Sequence, residues 1–131
     1  MGYALSTTVG MGFEQALTAT RERLAAEGFG VLSEIDIAAT LKAKIGAEVA
    51  PQVILGACRP PLAHAALQAE PSIGLLLPCN VVVRSLDDAR TVVEAMDPQV
   101  MVALTGNPAL EQVATEARER IGRALTNLAR E

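Results

Sequence analysis

Apolar and polar positions alternate with a period of two over residues 3–9. Tyr3, Leu5, Thr7 and Val9 share a face there, so the chain opens with a strand. The period changes after Gly12: Phe13, Ala16, Leu17, Thr20 and Leu24 recur at helical spacing and form one stripe. Gly28 ends that helix as a residue able to take positive φ. Alternation returns with Phe29, Val31, Ser33 and Ile35 on one side and Gly30, Leu32 and Glu34 on the other, giving a second strand. Asp36 is placed to cap a short helix with the stripe Ile37, Leu41, Ile45, which Gly46 stops. Residues 52–58 are a near-continuous apolar run, the pattern of a strand buried on both faces. Pro60 and Pro61 then open a third helix, where a missing amide hydrogen costs little.

Residues 73–77 and 81–85 read as two apolar strand segments interrupted by Pro78-Cys79-Asn80. Asp87-Asp88 marks a turn and 90–96 another strand, which predicts a hairpin over 81–96. The segment 99–105 fits a helical turn or a strand equally. Asn107-Pro108 begins a long last helix with the stripe Leu110, Val113, Ala114, Ala117, Ile121, Ala124, Leu125 and Leu128. On its solvent face Glu116 with Arg120, and Glu119 with Arg123, stand at i,i+4 spacing. The order β-α-β-α-β-α-β-β-β-α, free of linkers and repeats, predicts one domain over residues 1–131. Its class is α+β: a two-layer sandwich of a largely antiparallel sheet with helices on one face. Strands 52–58 and 73–85 carry too few polar residues for the opposite face to be wetted, so a homodimer is expected to cover it.

Composition narrows the partners. Hydrophobic residues are 50% of the 131, enough for a core without staples. Aromatics are only 2%, namely Tyr3, Phe13 and Phe29, too few for base-stacking platforms or an aromatic cage. The net charge is −4 with no basic run, which argues against nucleic acid and against an anionic membrane surface. No basic segment leads into an apolar N-terminal stretch, and no apolar run approaches the ~20 residues of a membrane span. A cytoplasmic protein with reduced thiols is the expectation.

Many familiar chemistries are missing. Gly10-Met11-Gly12 lacks the further Gly and the Lys of phosphate-binding loops and reads as a tight turn. There is no nucleophile elbow and no zinc-ligand spacing. Three local clusters remain, each at a strand end: Glu34-Ile35-Asp36, Cys58-Arg59-Pro60-Pro61 and Pro78-Cys79-Asn80. Cys79 is either an activated thiol or soft-metal ligand, or a small core residue. Cys58 has Arg59 and a helix start beside it, which favour a thiolate, and an apolar strand before it, which does not. Glu34 is a candidate base if its face is covered, and Asp36 reads first as a helix cap. His64 points away from the apolar stripe of the third helix. Asp36, Arg59, His64 and Asn80 complete the candidate ligand-binding set.

Several of these segments carry a resemblance to the family known as domain of unknown function 302. It runs from Gly28-Phe29-Gly30 and Glu34-Ile35-Asp36 through Gly56-Ala57-Cys58-Arg59-Pro60, Ala63, Ala66-Leu67 and Pro71. It continues through Gly74-Leu75-Leu76-Leu77-Pro78-Cys79-Asn80-Val81-Val82-Val83 to Asp97-Pro98. The Leu-Pro-Cys-Asn-Val stretch is its most specific part, and Arg59 stands where the family often carries Asn. The resemblance implies a TATA-binding-protein-like α+β architecture and dimers. It implies neither DNA binding nor a catalytic residue, because a fold does not fix a function. Three readings stay open: a dimeric module binding a small molecule or soft metal near Cys58, Cys79 and Asp36; a thiol-dependent enzyme with Cys79 or Cys58 as nucleophile and Glu34 or His64 as base; and a purely structural dimer.

Overall fold

Val53, Leu55, Ala57, Val81, Val83, Val93 and Ala95 stand at every second position of three strands, and pairing those strands brings them onto one face. In the computed structural model, which describes residues 2–131, the strands are β1 (Ala4–Val9), β2 (Gly30–Asp36), β3 (Gln52–Cys58), β4 (Cys79–Asp87) and β5 (Arg90–Met96). They form one sheet in the order β1-β5-β4-β3-β2, antiparallel throughout. The helices are α1 (Phe13–Ala26), α2 (Ile37–Ile45), α3 (Pro60–Ala69), α4 (Gln99–Thr105) and α5 (Glu111–Ala129), with 3₁₀ turns at Pro71–Leu76 and Pro108–Leu110. β1 and β2 are the two edges, so α1 carries the chain across the whole sheet.

α1 and α5 cover the apolar face. Ala16 and Leu24 of α1 meet Ile121, Leu125 and Leu128 of α5 over Leu55, Val81 and Val93, all buried. A second, smaller core lies beside the first. Ala66 of α3, Ile73, Met101 of α4, Leu110 and Ala114 of α5 form it. Thr91 is fully buried yet satisfied, because its hydroxyl donates to the Met11 carbonyl at 2.9 Å and ties the β1–α1 turn to the sheet. No helix among the described residues is long and apolar enough to cross a membrane.

Several expectations are corrected. Residues 73–77 are not a strand: Pro71–Leu76 is a 3₁₀ turn with Leu75 89% exposed. Cys79 therefore begins β4 and interrupts nothing. β3 is buried on one face only, since Ile54 and Gln52 are half-exposed on the other. That other face is mixed rather than apolar. It carries Ser6, Thr8, Asn80 and an Arg84–Glu94 ion pair at 2.8 Å beside Ile54 and Val82. A β-bulge at Leu32 shifts the alternation in β2. Glu34 thereby stands opposite Leu55, on the helix-covered side. On α5, Arg123 reaches Glu27, just past the end of α1, at 3.1 Å instead of Glu119, while the Glu116–Arg120 pair forms at 2.9 Å. Residues 99–105 are helical, closed by Gly106 at φ 65°.

Candidate functional site

The strands' directions sort the polar clusters between the two ends of the sheet. Cys58 ends β3 and Cys79 begins β4, and the pairing of Ala57 with Cys79 puts both at one end. Asp36 pairs with Val53, five residues from the Gly30–Cys58 pair. At ~3.4 Å per residue that is about 17 Å along the strand. Asp36 therefore does not share a site with the cysteines. Its carboxylate accepts the Ala39 amide at 2.9 Å and caps α2. It also borders an open cleft of about 700 Å³ at that far end. Polar groups around this cleft serve each other: Asp87 binds Ala89 and Arg90, and Lys42 faces Glu48 at 3.2 Å.

At the cysteine end the two hydrophobic cores do not close on one another. Between them lies a cavity of about 240 Å³. Phe29, Ala57 and Cys79 line it from the larger core, Ala66 and Met101 from the smaller. Leu62 and Ala63 of α3 and Val113 and Ala117 of α5 complete the walls, and Leu32, the bulge residue, stands 69% exposed at the mouth. Cys58 is half-buried on the same lining. The Cys79 thiol is pushed up to about 11 by burial and by the nearby Cys58 sulfur. It is a protonated, apolar lining group at neutral pH.

Among the described residues Arg59 is the one charged side chain on this lining. Its Nε is buried without a hydrogen-bond partner. The side chain lies over Gly28, whose φ is +84° and where an added Cβ would stand only 3.0 Å from that Nε. Arg59 also faces Glu116 of α5, with Nη1 3.6 Å from the carboxylate. The start of α3 offers an anion no amide. Pro60 and Pro61 have none, and the Leu62 and Ala63 amides both donate to the Arg59 carbonyl at 3.0 Å.

The remaining candidates lie elsewhere. Glu34 is exposed and ion-paired with Arg21 of α1. His64 is exposed and outside the cavity lining. Asn80 follows Cys79 but points to the opposite face, as strand alternation requires, where it borders a shallow groove with Tyr3, Val82 and Glu94. Among the described residues no group of three or more His, Cys, Asp or Glu side chains could hold a metal ion. Two thiols and the Met101 thioether fall short of the four ligands of a structural zinc site. Val113 and Ala117 read in the sequence as ordinary stripe residues and Met101 sits in a segment of undecided structure, and only the gap between two cores gives them a further role.

A family model described as domain of unknown function DUF302 matches residues 5–128. The crystal structure of an uncharacterized conserved protein DUF302 from Bacillus stearothermophilus is 27% identical, with a TM-score of 0.89 over 98% of this chain and 99% of that one. No curated protein matches the chain.

Proposed function

This chain belongs to the DUF302 family, and we propose that it is a non-catalytic, homodimeric module that binds a small, largely apolar molecule in the cavity beside Cys58 and Cys79. The cavity itself carries the reading: about 240 Å³ of apolar space between two otherwise well-buried cores. Concave, mostly apolar clefts are where small molecules bind, and an apolar space of ~150 Å³ suffices to hold benzene. The volume lies below the ~300 Å³ at which pockets for drug-sized ligands begin, so the ligand is small. What weighs against the thiol-enzyme reading is that neither candidate base, Glu34 or His64, is among the lining residues. A nucleophilic thiol needs one within hydrogen-bond reach.

The test is a titration with neutral apolar molecules of about six to eight carbons. Binding is read from the Met101 methyl NMR signal and from protection of Cys58 against alkylation. Ala63→Phe, which fills the cavity from α3, should abolish both effects while the protein stays folded. If no such molecule moves the Met101 signal, the cavity is not a binding site.

A further inference from the structure

Resting on the cavity as the binding site, we infer that its ligand is a neutral molecule built on a single aromatic ring, and that Met101, Cys79 and Phe29 select that ring over a saturated one of the same size. The space exists because several residues bounding it are short. Ala57 of β3, Ala63 and Ala66 of α3 and Ala117 of α5 all line it. Each of these side chains ends at Cβ, so no change of rotamer can fill the gap from those sides. Among the longer side chains, polarisable ones are gathered here. The chain has four Met and two Cys, and three of these six, Cys58, Cys79 and Met101, stand on this one lining. Of its three aromatic side chains Phe29 is the buried one, and it stands there too.

An aromatic ring gains from these groups what a saturated ring cannot. A thioether or thiol sulfur is attracted to an aromatic ring, often at its edge, by an amount worth about two- to tenfold in affinity. Met101 and Cys79 are both buried, so water does not compete for their sulfurs. Burial also holds Cys79 as the thiol, pushed up to about 11, and its S–H is a weak donor that suits a π face. Phe29 adds a ring for offset or edge-to-face packing. The lining presents no ionic partner to a ligand. Among the described residues it carries no carboxylate, and the Arg59 Nε packs over Gly28 while Nη1 faces Glu116 at 3.6 Å. A charge brought into this space would stay unpaired, so the ligand is uncharged. The space is roughly one and a half times that of a ~150 Å³ benzene-binding cavity, room for one ring with a small substituent.

Toluene and methylcyclohexane share a size and differ in the ring. Both are titrated into the full chain and into Met101→Leu, which keeps the volume and removes the sulfur, with the Val113 methyl signal as the readout. Transfer out of water differs between the two molecules, so each is compared with itself across the two proteins. Met101→Leu should weaken toluene about two- to tenfold and leave methylcyclohexane unchanged. In the wild type, bound toluene should show nuclear Overhauser contacts from its ring protons to the Met101 methyl group. Equal changes for the two molecules, or toluene bound without those contacts, would overturn the selection of an aromatic ring while the cavity remains a binding site. Binding of methylcyclohexane alone would do the same. No response to either molecule would overturn both claims. The Overhauser contacts decide the matter even if the variant does not fold.

Discussion

Cys79 and Gly56, two small residues of adjacent strands, make sharp predictions for opposite reasons. The Cys79 thiol titrates near 11 instead of 9.0 because burial, and then Cys58, disfavour its thiolate. The folded chain therefore holds this proton more tightly than the unfolded chain. Its contribution is complete below pH ~9 and is lost as pH rises through about 11, a change of roughly 2–3 kcal/mol. Melting temperatures recorded from pH 7 to 11 should fall more steeply for the wild type than for Cys79→Ala. Equal slopes would mean that the thiol is not buried as described. Under native conditions at pH 8, iodoacetamide should modify Cys58 and leave Cys79 untouched until the chain unfolds. Gly56 is constrained by space. A Cβ there would collide with the Ser33 hydroxyl and stand 2.9 Å from Cγ of Pro78. The hydroxyl can rotate away, but the proline ring cannot. Gly56→Ala should cost about 1–3 kcal/mol in urea unfolding, and adding Ser33→Ala should restore little of it. Full recovery in the double variant would shift the conflict from the ring to the hydroxyl.

Among the elements, α3 is held in place by side chains from outside it. Asn107 donates to the Ala69 carbonyl at 2.9 Å and to Glu70 at 3.1 Å, while its oxygen accepts the Ala109 amide at 2.9 Å. One residue thus caps the turn before α5 and fixes the end of α3, the wall of the cavity. Asn107→Ala should destabilise the chain by about 1–2 kcal/mol. Hydrogen exchange should quicken in α3 ahead of α1. Uniform acceleration would indicate that α3 is not a separately anchored element. Most elements were legible in the sequence from periodicity and stop signals, such as Gly28, Gly46 and the Asn107-Pro108 start. The exceptions have local causes. Ile73 and Leu76 are apolar because they fill the second core from a 3₁₀ turn, and no spacing distinguishes that from a short strand. The bulge at Leu32 shifts the alternation in β2 without any unusual residue, so strict alternation puts Glu34 on the wrong face.

For the molecule as a whole, the sandwich was readable and the relation between its parts was not. Which strand ends coincide depends on the order β1-β5-β4-β3-β2, and that order separates Asp36 from the cysteines while uniting Cys58 with Cys79. Assembly is the expectation still to be tested. The exposed sheet face offers Ile35, Ile54 and Val82 around the Arg84–Glu94 pair, a self-complementary mixture suited to a twofold contact. Sedimentation at micromolar concentration should give a dimer, and Val82→Lys should give a folded monomer. A wild-type monomer would remove this face as an interface.

The unfilled space between the two cores has a mechanical consequence. Unfolding under hydrostatic pressure is driven by the voids that disappear when water enters the chain. A chain with an apolar cleft of about 240 Å³ beside Met101 should yield first at that seam. High-pressure NMR should show the Met101 and Val113 methyl signals responding before those of Val81 and Val93. A bound molecule of the right size would act as a strut, raising the midpoint pressure by occupying the volume that pressure would otherwise collapse.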